Sequence, residues 1–214
     1  MPKLKPDTQR ARREHILDAT ERCFARAGFH ATTMQDICKE AEVSPGALYV
    51  YFASKEALIA GLCERNRAEF QARFAETATA PDFLAALSGL GQQYFVEEPQ
   101  HKNLMCVEMG LEATRNPKVA EIYRPVDRYV QDSFAALFTR LKAEGRIAPD
   151  LDMKSLVQVF TIIGDGMFWR RAVDPDFDAE AAIPAVLNTI GKLLNPVAPS
   201  DPFQETQKKE MAGT

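Results

Sequence analysis

Three helix-start signals crowd into residues 33–54 of this 214-residue chain, so the helices between them can be only stubs. Thr33-Met34-Gln35-Asp36 fits a capping box. The Thr33 hydroxyl can accept from the backbone N–H three residues on, and Asp36 can reach back. Met34, Ile37, Cys38 and Ala41 then fall on the inner side of a short helix. Glu42-Val43-Ser44 breaks it. Ser44-Pro45 is a second start, a capping residue followed by proline at the first helical position. That helix ends before Ala53-Ser54, where Ser54 caps a third start and Glu56 sets negative charge near the helix's positive end. Two stubs joined by a three-residue turn, behind a longer helix, make a helix-turn-helix arrangement.

The rest of the chain reads as helix after helix. A first helix is expected over Gln9–Ala27, with Ile16, Thr20, Cys23, Phe24 and Ala27 as its buried stripe and Gly28 as its stop. Longer helices are expected near 55–77, 82–97, 101–115, 117–143, 152–172 and 179–194. Pro125 predicts a kink or a short break in the 117–143 helix. Gly145–Asp150 reads as a turn. No strand-length alternation bounded by hairpin turns is present. The expected fold is all-α, with about nine helices. Residues 1–8 read as a flexible basic lead-in, and 196–214 as a disordered tail rich in proline and polar residues.

Composition narrows the function. With 46% hydrophobic and 26% charged residues the chain is neither collagen-like nor wholly disordered. The net charge of −4 excludes a polycation that coats nucleic acid. Yet residues 1–55 carry 9 Lys/Arg against 7 Asp/Glu, while 56–214 carry 17 against 23. The polar N-terminus lacks the apolar core of a signal peptide, and the most apolar window, Leu156–Trp169, is broken by Asp165. Cys23, Cys38, Cys63 and Cys106 have no C-x-x-C spacing, and His15, His30 and His101 lie far apart. A cytoplasmic protein without membrane association, metal or cofactor is therefore expected. Glu97-Glu98, Glu108, Glu112 and Arg115 are the nearest thing to a titratable cluster. The last three have the spacing of a solvated or salt-bridged helix face, so an enzyme is not expected.

The second stub suits the major groove, which is about 12 Å wide and admits one helix presented by its N-terminal end. Leu48 and Phe52 would point inward, and Gly46 and Ala47 are small enough for close approach. Helix starts at Thr33 and Ser44 offer N–H groups to phosphates. Lys3, Lys5, Arg10, Arg12 and Arg13 fit either an arm on phosphates or a solvated basic tail. Gln35 fits either a base contact or an exposed cap-region residue.

Thr32-Thr33-Met34-Gln35-Asp36-Ile37, followed by Ala41 through Leu58, resembles the signature of the TetR family of bacterial transcriptional regulators, and the match spans residues 10–60. One departure is Glu42, where the family usually has glycine. A positive φ there would cost about 1 kcal/mol. The resemblance implies a homodimer that binds operator DNA through its N-terminal helices and a small molecule through its C-terminal ones. Carried over by position, Thr33, Gln35, Ser44, Pro45, Gly46, Ala47, Tyr49, Tyr51 and Lys55 are the implied DNA contacts. It implies a DNA-binding domain over 1–54 and a ligand-binding and dimerisation domain over 55–195. The function expected is a repressor of a palindromic operator, released by a small lipophilic or aromatic effector. An activator, or a helical small-molecule binder with no DNA role, are the alternatives.

Beyond residue 60 most aromatic and Met residues sit at helical spacing and read first as core. Met105, Met109, Phe134 and Phe168 are the candidates to line a pocket. Asp165, alone in its apolar helix, either meets a ligand's polar group or is paired with an Arg or capped by backbone. Leu156, Val159, Phe160, Ile163 and Met167, with Ile183, Val186, Leu187, Ile190, Leu193 and Leu194, form stripes on the last two helices. In a monomer these are core. The resemblance implies a four-helix bundle with a second copy.

Overall fold

The computed structural model describes residues 6–197. Nine α-helices run through them: α1 Pro6–Ala31, α2 Met34–Glu40, α3 Pro45–Tyr51, α4 Lys55–Thr79, α5 Phe83–Gln92, α6 Gln100–Ala113, α7 Pro117–Ala143, α8 Met153–Val173 and α9 Ala179–Leu194. No β-strand occurs among the described residues.

Side-chain caps explain where most of these helices begin. Thr33, Ser44, Ser54, Asp82, Asn116, Asp152 and Asp178 each accept a backbone N–H of their helix's first turn. Each such cap is worth about 1 kcal/mol. The capping box at Thr33 is complete, since Asp36 accepts from the Thr33 N–H at 2.9 Å and the Asp36 N–H donates to Thr33 Oγ1 at 3.1 Å.

Four boundaries differ from expectation. Helix α1 already includes Pro6, a residue that suits a first turn because it has no N–H to leave unpaired. Gly28 does leave the helical conformation, at φ 75° and ψ 169°, but the chain coils again to Ala31. Ala27 is exposed, so the buried stripe before Gly28 ends at Phe24, and Phe29 is buried beyond it. Helix α5 does not continue to Glu97: residues Gln93–Glu97 widen into a π-helical turn. The Arg171 guanidinium donates to the carbonyls of Tyr94, Val96 and Glu98 there, which satisfies the loosened backbone. Finally, α7 runs on through Pro125, so that residue makes no break.

The segment after α9 is also ordered at its start. Asn195 takes a left-handed conformation, the Ala148 N–H donates to Asn195 at 2.9 Å, and Val197 N–H donates to Arg146 at 2.9 Å. Pro196 thus pairs with Ile147 rather than opening a disordered tail. The remainder of that expected tail, like Lys3 and Lys5 of the basic lead-in, lies outside the described residues.

Two apolar clusters organise the packing. The first joins α1–α4 to Met105 and Met109 of α6 and Val119 of α7. The second joins α4, α5, α7, α8 and α9 around Phe70, Phe134 and Phe138. Of the stripes expected on the last two helices, Leu156, Phe160, Ile163, Val186, Leu187, Ile190, Leu193 and Leu194 pack in this second cluster, Met167 and Ile183 pack in a third, and Val159 belongs to neither. What α8 leaves outside is a different row, Ile162, Trp169 and Val173, all about half exposed at i, i+7 and i+11.

Candidate DNA-reading helices and ligand cavity

Helix α3 is held by one face. Leu48 is its buried residue, with Phe52 buried just beyond its end, whereas Tyr49 and Val50 stand out and Val50 is 80% exposed. Ser44 caps it, accepting from the Ala47 N–H at 3.2 Å. Thr33, Gln35, Ser44, Pro45 and Gly46 are exposed; Ala47 and Tyr51 are half-buried, and Tyr51 packs on the first cluster. A side chain at Gly46 would meet nothing within 4 Å, so the fold itself does not require glycine there. Lys55 is placed differently from a free cation. Its ammonium donates to the Phe29 carbonyl at 2.5 Å and lies 4.3 Å from the Phe29 ring centroid.

The turn that aims α3 has a left-handed residue. Glu42 sits at φ 52°, its N–H donates to Lys39, and the Val43 N–H donates to Cys38. This is the conformation that favours glycine, held here by a glutamate.

Behind these helices runs a seam between α1 and α6. The Phe29 N–H donates to Glu108 at 2.8 Å. A side chain on Gly28 would fall 3.0 Å from the same Glu108 oxygen, and its φ of 75° already demands glycine. His30 pairs with Glu112 at 2.8 Å, and Arg115 with Glu112 at 3.0 Å. Burial alone would raise the Glu112 carboxyl; hydrogen bonds from Arg115 and Asn116, with the charge of His30, outweigh it and hold it below the usual range. Nearby Arg65 binds Glu21 at 2.5 Å and Asp18 at 2.7 Å. On the Glu108, Glu112 and Arg115 face, Glu112 and Arg115 are therefore salt-bridged, while Glu108 ties α6 to the end of α1 through a backbone N–H.

On its other side α6 borders a cavity of about 480 Å³, within the range of small-molecule sites. Met109, Phe134, Asp165 and Phe168 line it, together with residues of α4, α5, α7 and α9. Met105 does not; it is fully buried in the first cluster. Asp165 is not paired with an Arg. Among the described residues it has neither an ion pair nor a hydrogen bond, and burial plus the neighbouring Asp127 push its carboxyl above the usual range. The thiols of Cys63 and Cys106 also line the cavity, raised by burial to about 11 and about 12, which keeps them protonated.

Residues 16–62 match the profile of bacterial regulatory proteins of the tetR family. The HTH-type transcriptional regulator UidR of Escherichia coli strain K12 is 31% identical over 147 residues, 65% of this chain and 71% of that protein. The chain belongs to the TetR family. Two solved TetR-like structures extend the likeness to the whole fold. Salmonella enterica GusR superposes with a TM-score of 0.73 at 28% identity, over 86% of this chain and 95% of that one. Bacillus subtilis FadR, in complex with stearoyl-CoA, gives 0.72 at 20% identity, over 86% and 99%.

In this TetR-family chain, sequence reasoning found only Phe134 of a row on α7. Tyr123, Asp127, Val130 and Phe134, at i, i+4, i+7 and i+11, all face the cavity. The helical spacing was a usable signal, and the charge inside an otherwise apolar row was the clue. Glu108 carried no such signal, because its partner is a backbone N–H on a helix 79 residues away in sequence.

Proposed function

We propose that this TetR-family regulator is a repressor that binds a palindromic operator as a homodimer and is released when a small lipophilic or aromatic molecule fills the α4–α9 cavity. The observation that carries the DNA half is α3, held from one face by buried Leu48 and half-buried Tyr51, with Pro45, Gly46, Tyr49 and Val50 exposed. Residues 1–54 would form the DNA-binding unit and 55–195 the ligand-binding and dimerisation unit. Thr33, Gln35, Ser44, Pro45, Gly46, Ala47, Tyr49 and Tyr51 would meet DNA, with Gly46 leaving room for the backbone to approach it. Lys55 would act by positioning, because its ammonium is committed to Phe29. The row Ile162, Trp169 and Val173 on α8 would meet its counterpart across a two-fold axis.

The switch would act at Phe29. Its N–H is held by Glu108 of α6 and its carbonyl by Lys55 of α4, and both helices wall the cavity further along. A ligand that favours another placement of α4 and α6 would shift the end of α1 and respace the two copies of α3. Linkage then requires that DNA weaken ligand binding by the same factor. FadR, which holds stearoyl-CoA on this fold, supports the cavity as a ligand site.

Fluorescence anisotropy with DNA from upstream of the chain's own gene tests the reading. Tight, salt-sensitive binding is expected, with loss of at least ten-fold in affinity for Tyr49→Ala and no loss of fold. Unaltered affinity in that variant would remove α3 as the reader. Glu108→Gln should keep the operator affinity within a few-fold yet blunt its release by effector; full release would remove Phe29 as the relay.

A further inference from the structure

The cavity wall is mostly apolar; Asn66 and Arg67 of α4 are polar, and its acidic groups gather where α7 faces α8. Tyr123 and Asp127 stand one turn apart on α7, and Asp165 faces them from α8. Asp127 accepts one hydrogen bond, from Gln131 at 2.9 Å. Asp165 accepts none among the described residues. The three groups feel one another: the Tyr123 phenol is pushed up by burial first and then by Asp127, Cys106 and Asp165. The basic side chain in the wall, Arg67 of α4, lies over the Tyr129 ring at 4.3 Å and makes no ion pair with either aspartate.

Two carboxylates that repel each other at the edge of an apolar chamber destabilise the empty protein and reward an incoming positive charge. Aromatic rings complete the setting. Phe134 and Phe160 have centroids 4.4 Å apart, and Phe168 lies beside Phe95 at 5.0 Å. Ring faces attract cations and pack well on apolar bodies. A carboxylate or phosphate ligand would meet two like charges in the same place.

We propose that the cavity takes a lipophilic cation, its charged nitrogen lodged between Asp127 and Asp165 and its apolar body against Phe134, Phe160 and Phe168. This rests on the cavity being the effector site and names the chemical class of that effector. Asp165 and Asp127 set the sign of the charge accepted; the aromatic residues set only size and shape.

Isothermal titration of the full chain with dodecyltrimethylammonium and with dodecanoate, both below their micelle concentrations, separates charge from apolar bulk. The cation should bind at least ten-fold more tightly than the anion. Asp127→Asn combined with Asp165→Asn should lower the cation's affinity ten-fold or more while leaving that of dodecanoate equal or better. Each single variant should fall between. The double variant relieves a repulsion, so its melting temperature should not fall, and the single Asp165→Asn change serves if it does. Equal or tighter dodecanoate binding, a cation preference that survives the double change, or no binding of the cation would each overturn the proposal. Operator anisotropy read alongside tells the two ideas apart. Release by either compound without charge preference keeps the switch and removes the cation class. Selective cation binding without release keeps the class and removes the switch.

Discussion

The two ends of this molecule are built on opposite packing rules. Beneath α3 the packing is close: a side chain on Gly61 would lie 2.8 Å from Phe52 and 3.1 Å from Leu17, and Leu48, Leu58 and Ile37 are fully buried. Around α8 the packing is slack. A side chain at Gly164, on the cavity wall, would meet nothing within 4 Å, and the cavity lies between the helices. A reading helix has to be aimed with little play, because base contacts tolerate small errors poorly. A ligand chamber has to give up contacts that a close-packed core would make. The difference teaches that rigidity and vacancy sit on either side of one element, α6.

The comparison breaks most readily at Leu48. Leu48→Ala removes the anchor of α3 and should cost about 2–5 kcal/mol. Urea unfolding should show the midpoint falling sharply, and operator binding should fall with it. A loss under 1 kcal/mol would mean α3 is less firmly seated than its burial indicates.

The two glycines give the next test, on a smaller scale and with opposite signs. Gly61→Ala overfills a contact that includes the Phe52 ring, and should destabilise by about 1–3 kcal/mol. Gly164→Ala has open space and gains helix propensity, so it should stabilise by about 0.5–1 kcal/mol. Thermal melts of the two variants check the pair. If both move the same way, the contrast between close packing and slack is wrong.

The same contrast explains what could be read from sequence. Helix α3 is specified locally: Ser44, Pro45 and the spacing of Leu48 and Phe52 lie within nine residues, and each acts on its near neighbours. The caps at Thr33, Ser54, Asp152 and Asp178 are of the same kind. The cavity is specified by distance. Asp127 and Asp165 are 38 positions apart in sequence, and no local pattern says that two helix rows will face each other. Met105 and Met109 show the limit. They are one turn apart on α6 and both enter the first cluster, yet only Met109 also reaches the cavity wall. The stripes of α8 and α9 are a related case, since an apolar row announces burial without saying against what.

A smaller effect sharpens the account of the turn. Glu42 holds φ at 52° without the freedom of glycine. Glu42→Gly should stabilise by up to about 1 kcal/mol, the left-handed penalty less the added freedom of the unfolded chain. It should leave operator affinity within about two-fold if α3 is already aimed, since the turn keeps its hydrogen bonds to Lys39 and Cys38.

The smallest effects come from two carboxyls whose signs oppose. Glu112, in the seam, is held below the usual range in the folded protein. Its contribution to stability is therefore present above the pKa it has when unfolded and is lost as pH falls through its folded value. Asp165, in the cavity, is raised. Its ionisation favours the unfolded chain, so stability drains as pH rises from the unfolded pKa through the raised folded one. Solvent reaches Asp165, so the amount is roughly a few tenths of a kcal/mol, the size of an exposed pair. Melting curves between mild acid and neutrality should then diverge in opposite directions for the two variants. Glu112→Gln should lose stability at neutral pH and flatten the acid limb. Asp165→Asn should gain a little at neutral pH and nothing below the carboxyl range. A gain from Glu112→Gln would place the strained charge in the seam rather than in the chamber, and the division of labour across α6 would have to be redrawn.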